Sequence, residues 1–293
     1  MTTQELLLTA WDWEPSVVAG CAALAIGYLA LALVGRTPWS AADAPVGHAP
    51  AQDKKPARGP VADRGVRPTI LFLSGTLLLL LALVSPLDTL ADGYLFSAHV
   101  VQHILLALII PPLWLLGTPR ALAEAALQRP LIRQIERALA QPLIAWPLGV
   151  ATMILWHLPP LFNAALASDS LHIFQHLSFL ITGTIFWWPV LGPIPERRIA
   201  PLHYAIAYLF SACVCCSLLG ALLTFTPPGA YPAYLNPDDR LGILRLVRTG
   251  WGLDPKTDQQ LGGLLMWVPG CFVYLSGILA TTARWYGTAE QEA

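Results

Sequence analysis

Two pairs of histidines are spaced so that each pair lies on one face of a helix. His99 and His103 form one pair, and His172 and His176 form the other, with a gap of four residues in each. This gap places two side chains one helical turn apart on the same face. Imidazole nitrogens bind transition metals, so each pair can supply two ligands, or one ligand and the residue that orients it. The spacing predicts a metal site.

Three further residues are candidates for the same site. His157 ends an apolar segment, Asp258 precedes the last apolar segment, and Met266 lies within that segment. A thioether beside imidazoles favours copper, particularly Cu(I), whereas Mg²⁺ and Ca²⁺ prefer oxygen ligands. Met266 could equally be a packing residue and Asp258 a helix N-cap, and Asp88 and Asp92 are possible supporting groups. The predicted metal ligands are His99, His103, His157, His172, His176, Met266 and Asp258.

The segments that carry these residues are typical of a membrane protein. The chain of 293 residues is 55% hydrophobic and 12% charged, with a mean hydropathy of +0.57. A helix needs roughly 17 to 25 apolar residues to cross a bilayer. No alternating strand pattern occurs in the apolar windows, so we predict an all-α, polytopic helical bundle rather than a barrel. The windows predict about seven transmembrane helices, at 15–35, 69–84, 95–117, 142–157, 171–191, 202–226 and 261–283.

The distribution of basic residues predicts the orientation. Placing the N-terminus outside and the C-terminus in the cytoplasm puts 13 of the 17 Lys and Arg residues on the cytoplasmic side. Cytoplasmic segments carry such an excess of Lys and Arg. Segment 227–260 is an exception, because this topology places it outside although it has four basic residues. In this topology the five candidate histidines lie at the outer ends of their helices. His203 and His48 fall on the cytoplasmic side, away from the predicted site.

The chain is predicted to be one membrane domain, 1–293. Within it we expect a flexible cytoplasmic loop at 36–68, rich in proline and charge. Segment 118–141 has the pattern of an amphipathic cytoplasmic connector, interrupted at Pro130. Segment 227–260 forms a long extracytoplasmic loop, in which 241–247 is expected to lie in the membrane interface as a short amphipathic turn.

Composition excludes several classes of partner and site. A net charge of −1 and a pI near 6.6 exclude the chain-wide basic surface of nucleic-acid-binding proteins, so partners are expected in or beside the lipid bilayer. All five cysteines lie in apolar segments, and no disulfide framework is predicted. Cys213, Cys215 and Cys216 fall near the middle of a predicted span, where small residues allow close helix packing. We do not expect them to bind metal.

Several short motifs together carry a resemblance to a known family. They are Ser85-Pro86-Leu87-Asp88, Phe96 to His103, Pro111-Pro112-Leu113, Trp156 to Pro160, His172 to His176, Phe186 to Pro189, Asp258-Gln259-Gln260 and Met266 to Gly270. In these motifs the chain resembles the CtaG family of cytochrome c oxidase assembly factors over about 68–285. The resemblance implies a bacterial plasma membrane protein that assists copper loading of oxidase subunits. The family's motif positions coincide with the five histidines.

Four functions remain as alternatives from the sequence. The first is an assembly factor, not an enzyme, which binds copper transiently and passes it to an oxidase subunit. The second is a haem-binding redox protein that uses the same histidines as axial ligands. The third is a metal-dependent oxygenase or hydrolase, disfavoured because few carboxylates lie nearby. The fourth is a transporter, disfavoured because the spans carry no charged relay through the membrane.

Overall fold

The computed structural model describes residues 2–34 and 63–292, and within these ranges it is helical without a strand. The prediction of an all-α protein is therefore confirmed. A π-helical turn, Leu105–Ile109, joins α5 to α6 without a break. The α-helices are α1 Thr3–Thr9, α2 Pro15–Val34, α3 Asp63–Val84, α4 Pro86–Gly93, α5 Phe96–Ile104, α6 Ile110–Gly117, α7 Arg120–Leu127, α8 Pro130–Leu139, α9 Pro142–His157, α10 Pro159–Leu166, α11 Asp169–Leu191, α12 Leu202–Phe225 and α13 Pro255–Glu292.

Several of these helices are long and apolar enough to cross a membrane. By length and composition five candidate spans occur in the described ranges, or six if α8 and α9, which meet at an angle of 72°, are one bent span. The 23-residue helix α11 is long enough, but its histidines and Gln175 make it more polar than those five. The predicted count of about seven and the predicted orientation stay predictions. The five spans are Pro15–Ala32, Arg67–Val84, Phe96–Gly117, Leu202–Phe225 and Pro255–Gly287.

The segments between the long helices are themselves helical. The short stretch between α3 and α5 forms α4, which begins at Pro86 behind the N-cap Ser85. The connector at 118–141 is divided into α7 and α8, and α8 begins at Pro130 because proline fits the first helical turn. The predicted flexible loop at 36–68 lies mostly outside the described residues, and α3 already begins at Asp63.

Glycines allow the last two long helices to pack closely. A β-carbon on Gly263 would lie 2.4 Å from the backbone nitrogen of Thr224, and one on Gly220 would lie 2.7 Å from that of Trp267. Only glycine permits such backbone approach, which van der Waals packing between membrane helices favours. α12 and α13 thus form a tightly packed pair, and α13 also lies against α5.

The π-helical turn lies where prolines interrupt the helix that carries the first histidine pair. Pro111 and Pro112 have no N–H to donate, so the preceding turn cannot keep a regular hydrogen-bond ladder. α11 approaches the backbone at this point, since a β-carbon on Gly183 would lie 2.6 Å from the carbonyl oxygen of Ala107. This contact fixes α11 against α5–α6, two turns along α11 from His176.

Segment 227–260 folds over one end of the bundle. Tyr231 donates a hydrogen bond to the carbonyl of His157 at 2.7 Å, and Tyr234 donates one to the carbonyl of Ala91 at 2.8 Å. Further along, Ile243 and Val247 are fully buried in a small core with α1 and α4. The part of this segment expected to form an interfacial turn thus packs on protein, and the segment covers the end of the bundle where the five histidines meet.

Candidate metal centre

Helices α5, α9 and α11 bring five histidines together at one end of the bundle. The ring centroids of His99 and His103 are 4.3 Å apart, and those of His172 and His176 are 4.2 Å apart. Between helices, His99 and His172 stack at 5.2 Å, and His103 lies 5.0 Å from His157. The sequence spacing placed each pair on one helix face, and the fold turns the two faces toward each other.

A chain of hydrogen bonds defines which nitrogen of His103 carries the proton. The Nδ1–H of His157 donates to the carbonyl oxygen of Met153 at 2.7 Å, because a carbonyl can only accept. In the neutral ring this leaves the Nε2 of His157 as an acceptor. It lies 3.2 Å from the Nδ1 of His103, which therefore donates. The Nε2 of His103 is left with a free lone pair.

That lone pair belongs to a group of three, the inner triad of His99, His103 and His176. One ring nitrogen from each lies within 4.8 Å of the others. The Nε2 atoms of His103 and His176 and both ring nitrogens of His99 are buried without a hydrogen-bond partner among the described residues. His99 and His103 are fully buried and His176 is 9% exposed. Buried polar atoms are normally satisfied, so this group needs a partner such as an ion or water.

A second group shares His99 and reaches the surface. In this rim triad of Asp92, His99 and His172, one potential ligand atom from each again lies within 4.8 Å of the others. The Nε2 of His172 is 3.7 Å from a carboxylate oxygen of Asp92, which is longer than a hydrogen bond. The sequence alone makes Asp92 only a possible supporting group, because a carboxylate in a short connection is usually solvated. The structure makes it a neighbour of two histidines.

Asp258 holds the start of the helix that carries the first histidine pair. One of its carboxylate oxygens accepts from the backbone N–H of Phe96 at 2.8 Å. The other accepts from the backbone N–H of Ser97 at 3.1 Å and from its hydroxyl at 2.6 Å. The N-cap position of α5, Leu95, makes no side-chain cap of its own. Asp258, fully buried one turn into α13, thus caps α5 across the helix interface and is not brought into either triad.

Asp88 has a comparable positioning contact. Its Oδ1 accepts from the side-chain amide of Gln102 at 2.7 Å, and the same amide nitrogen donates to the carbonyl of Ala82 at 2.7 Å. Removal from water and the neighbouring charge of Asp92 raise the pKa of Asp88 to about 7, against the opposing effect of the Gln102 hydrogen bond. Asp88 and Gln102 therefore tie α3 and α4 to the helix that presents His99 and His103.

Aromatic side chains cover the cluster on the side of segment 227–260. Phe162 lies 4.8 Å from the ring of His99 and 4.8 Å from that of Tyr231. Phe96 packs on both aromatic rings, at 5.4 Å from Phe162 and 4.6 Å from Tyr231. Phe179 packs on the ring of His103, at 4.4 Å. Apolar rings therefore pack on His99 and His103, whereas Asp92 is half-exposed.

The remaining candidates have other contacts. Met266 is fully buried in the main apolar core, one turn along α13 from Gly262, which packs against Phe96 and Ser97. The Sγ of Cys216 donates to the carbonyl of Met266, in keeping with a packing role for the cysteines of α12. His203 lies at the start of α12, where its ring contacts Tyr204. His48 lies outside the described residues.

Comparison with known proteins identifies related sequences. Residues 56–288 match the family described as cytochrome c oxidase caa3 assembly factor. An uncharacterized protein of Mycobacterium leprae is 27% identical over 232 residues, which cover 74% of this chain and 34% of that protein. Uncharacterized proteins of Mycobacterium bovis and Mycobacterium tuberculosis are each 28% identical over 207 residues, covering 65% of this chain and 30% of theirs. The chain thus spans about a third of the length of these relatives. No solved structure matches it.

Proposed function

The chain belongs to the family of cytochrome c oxidase caa3 assembly factors, and from this premise we propose that it carries copper through the inner triad and assists metallation of the oxidase copper centre. The observation that supports the copper step best is the set of unpartnered nitrogens in His99, His103 and His176, all within 4.8 Å of one another. Copper is then cargo rather than a resident cofactor, and the chain acts as a metallochaperone, not an enzyme.

The donor set suits a small cation. Nitrogens bound at about 2.0 Å around one ion in a trigonal arrangement would be about 3.5 Å apart, so small rotations of the three rings would bring them into position. Imidazole binds copper and zinc, while magnesium and calcium need oxygen ligands. The inner triad contains no carboxylate, and burying a single positive charge among neutral ligands costs less than burying two. This favours Cu(I) over Cu(II) and Zn²⁺.

His157 completes the arrangement as the residue that orients a ligand. Its hydrogen bonds to Met153 and His103 keep the Nε2 lone pair of His103 free for the ion. Such partners of metal-binding histidines fix the tautomer and the ring orientation. His157 is thus proposed to act through His103 rather than on the ion.

The packing of the rings favours an ion over haem. Haem iron held by two histidines requires the flat macrocycle to lie between the two axial rings. Here the rings of the cluster touch each other at centroid distances of 4.2 to 5.2 Å, with Phe162 and Phe179 against them. A haem would have to separate these rings and displace both phenylalanines.

The proposed location is a bacterial plasma membrane, with the histidine cluster on the outer side. The excess of Lys and Arg in the predicted cytoplasmic segments supports this orientation. Copper bound there would be available to an oxidase subunit whose copper site faces the same compartment. The oxidase subunits are the proposed clients, and the lipid bilayer is the surrounding medium.

Gene deletion followed by complementation tests the proposal. Deletion should leave oxidase polypeptides in the membrane but lower their copper content, and the wild-type gene should restore it. A triple variant, His99→Ala with His103→Ala and His176→Ala, should fail to restore copper at equal protein level. The control His203→Ala, at the start of α12 beside Trp285, should restore it fully. A fully copper-loaded oxidase in the deletion strain would disprove the assembly role.

Spectroscopy and metal analysis of the purified protein distinguish bound copper from bound haem. Mass spectrometry should find near-stoichiometric copper in the wild type after copper-replete expression and none in the triple variant. The optical spectrum should lack a Soret band. A Soret band that disappears in the triple variant would instead support haem binding.

A further inference from the structure

The rim triad lies between the inner triad and the surface. The side chain of Asp92 is 46% exposed, that of His172 is 15% exposed, and His99 is fully buried. Exposure thus falls in steps along these three residues toward the inner triad. His99 belongs to both groups, so the two sets of ligand atoms share one residue.

Aromatic side chains pack on two histidines of the inner triad. On one side lie Phe162 and Tyr231, and on another Phe179 packs on His103. Tyr234 is buried and donates a hydrogen bond to the carbonyl of Ala91, so segment 227–260 also covers the backbone next to Asp92. Asp92 and His172 therefore stand at the exposed margin of the cluster.

We propose that the rim triad is a capture site, which takes a copper ion from solvent and passes it inward to the inner triad by exchange of ligands about His99. This inference rests on the proposed function, since it assumes that the inner triad binds copper. It assigns to Asp92 and His172 a role in the rate of loading and unloading rather than in the final affinity.

The transfer is a ligand substitution without electron transfer. The bonds from the ion to the Asp92 oxygen and the His172 nitrogen break, and bonds to the Nε2 atoms of His103 and His176 form. His99 contributes to both coordination sets. The imidazoles are neutral throughout, and Asp92 binds and releases the ion as a carboxylate.

A carboxylate at the margin suits capture, and its absence from the inner triad suits release. A negative charge at the mouth of a low-dielectric site raises the local concentration of cations. Once the ion has moved to the inner triad it has lost the only anionic ligand. An ion held by neutral imidazoles alone is more readily given up to a client, which a carrier requires.

Kinetics of copper loading test the proposal on the full-length protein in lipid nanodiscs. The probe is Cu(I) supplied anaerobically as its bicinchoninate complex, and both the final occupancy and the rate of transfer are measured. The variants Asp92→Asn and His172→Gln should reach wild-type occupancy but load about tenfold more slowly or worse. The charge-matched control is Asp238→Asn, because Asp238 is an exposed carboxylate in segment 227–260 that pairs with Arg240. It should load at the wild-type rate.

A variant of the inner triad should behave differently from the variants of Asp92 and His172. His103→Ala should still acquire Cu(I) rapidly but hold it weakly, because the rim triad remains intact. Wild-type loading rates in both Asp92→Asn and His172→Gln would overturn the capture site and leave the proposed function standing. Loss of final occupancy in these variants as complete as in His103→Ala would also overturn it, by showing one undivided site. Failure of the wild type to bind Cu(I) would remove the proposed copper function and this inference together.

Discussion

The Nδ1 of His103 lies 3.2 Å from the Nε2 of His157, and this contact decides what His103 can bind. His157 is itself fixed by Met153, whose carbonyl accepts its Nδ1–H at 2.7 Å. The proton positions follow along this chain, so a backbone carbonyl on α9 sets the tautomer of a residue on α5. The free lone pair on the Nε2 of His103 therefore depends on the contact between α5 and α9.

Replacement of His157 should weaken metal binding without abolishing it. His157→Ala removes the acceptor for His103, so its ring loses both its fixed tautomer and its orientation. We expect the affinity for Cu(I) to fall by about 10- to 100-fold, the usual effect of losing such a partner. Chelator competition titration measures this. His157→Gln retains an acceptor oxygen and should recover part of the loss, whereas equal affinities in the wild type and His157→Ala would contradict the orienting role.

Removal of the carboxylate of Asp258 should destabilise the start of α5. Asp258→Ala leaves the N–H groups of Phe96 and Ser97 buried without their acceptor, at a cost on the order of 3 kcal/mol. Thermal unfolding in detergent should show a clearly lower Tm. Asp254→Ala is the control, because the side chain of Asp254 accepts from Lys256 and Thr257 in its own exposed turn. It should change the Tm much less, and an equal effect of both variants would contradict the cross-helix cap.

Local periodicity explains how much of the site could be predicted from the sequence. A gap of four residues fixes that His99 and His103 share one face, and likewise His172 and His176, because helix geometry is local. The sequence also predicted the helical class and the boundaries of several long helices. The meeting of the two histidine faces, by contrast, depends on how α5 packs on α11.

The roles of the acidic residues could not be predicted, for a physical reason. Asp258 and Phe96 are 162 residues apart in the chain, and only the close packing of α13 on α5 makes one the cap of the other. Asp92 joins His99 and His172 because residues 86–93 form a helix rather than an open connection. Neither relationship leaves a periodic pattern in the sequence.

Asp88 should make the stability of the protein depend on pH. Burial raises its pKa from 3.8 to about 7 in the folded protein, so the folded state holds this proton over a range in which the unfolded state has lost it. The contribution is favourable below about pH 4 and is lost as the pH rises toward 7, because the folded state must then keep a buried carboxylate. Asp88→Asn should match the wild type in Tm at pH 5 or fall slightly below it, and exceed it at pH 8.

The comparison between the two pH values isolates this residue. The amide introduced by Asp88→Asn would still offer an oxygen to the side chain of Gln102, so the contact between α4 and α5 should be retained. Asp92 and Asp12 raise the pKa of Asp88 and remain in both proteins. A difference in Tm between variant and wild type that does not change from pH 5 to pH 8 would contradict a raised pKa for Asp88.

A side chain at Gly183 should disturb both the fold and the cluster. Gly183→Ala would place a β-carbon 2.6 Å from the carbonyl oxygen of Ala107, a backbone atom that cannot move alone. We expect a loss of about 1–3 kcal/mol, as for other overpacked sites, and a shift of α11 away from α5. Cu(I) affinity should fall in parallel, since His176 lies on α11. Gly27→Ala is the control, with nothing within 4 Å of its β-carbon, and should lower neither quantity.

Labelling of engineered cysteines should reveal which side of the membrane carries the histidine cluster. Asp169 and Arg133 are exposed and lie at the start of α11 and in α8, which the predicted topology places on opposite sides. In intact cells a membrane-impermeant maleimide should label Asp169→Cys, whereas Arg133→Cys should be labelled only after the cells are opened. The five native cysteines are buried or partly buried, so the wild type should show little background. The reverse pattern would place the cluster in the cytoplasm and remove the argument that it serves a copper centre on the outer side.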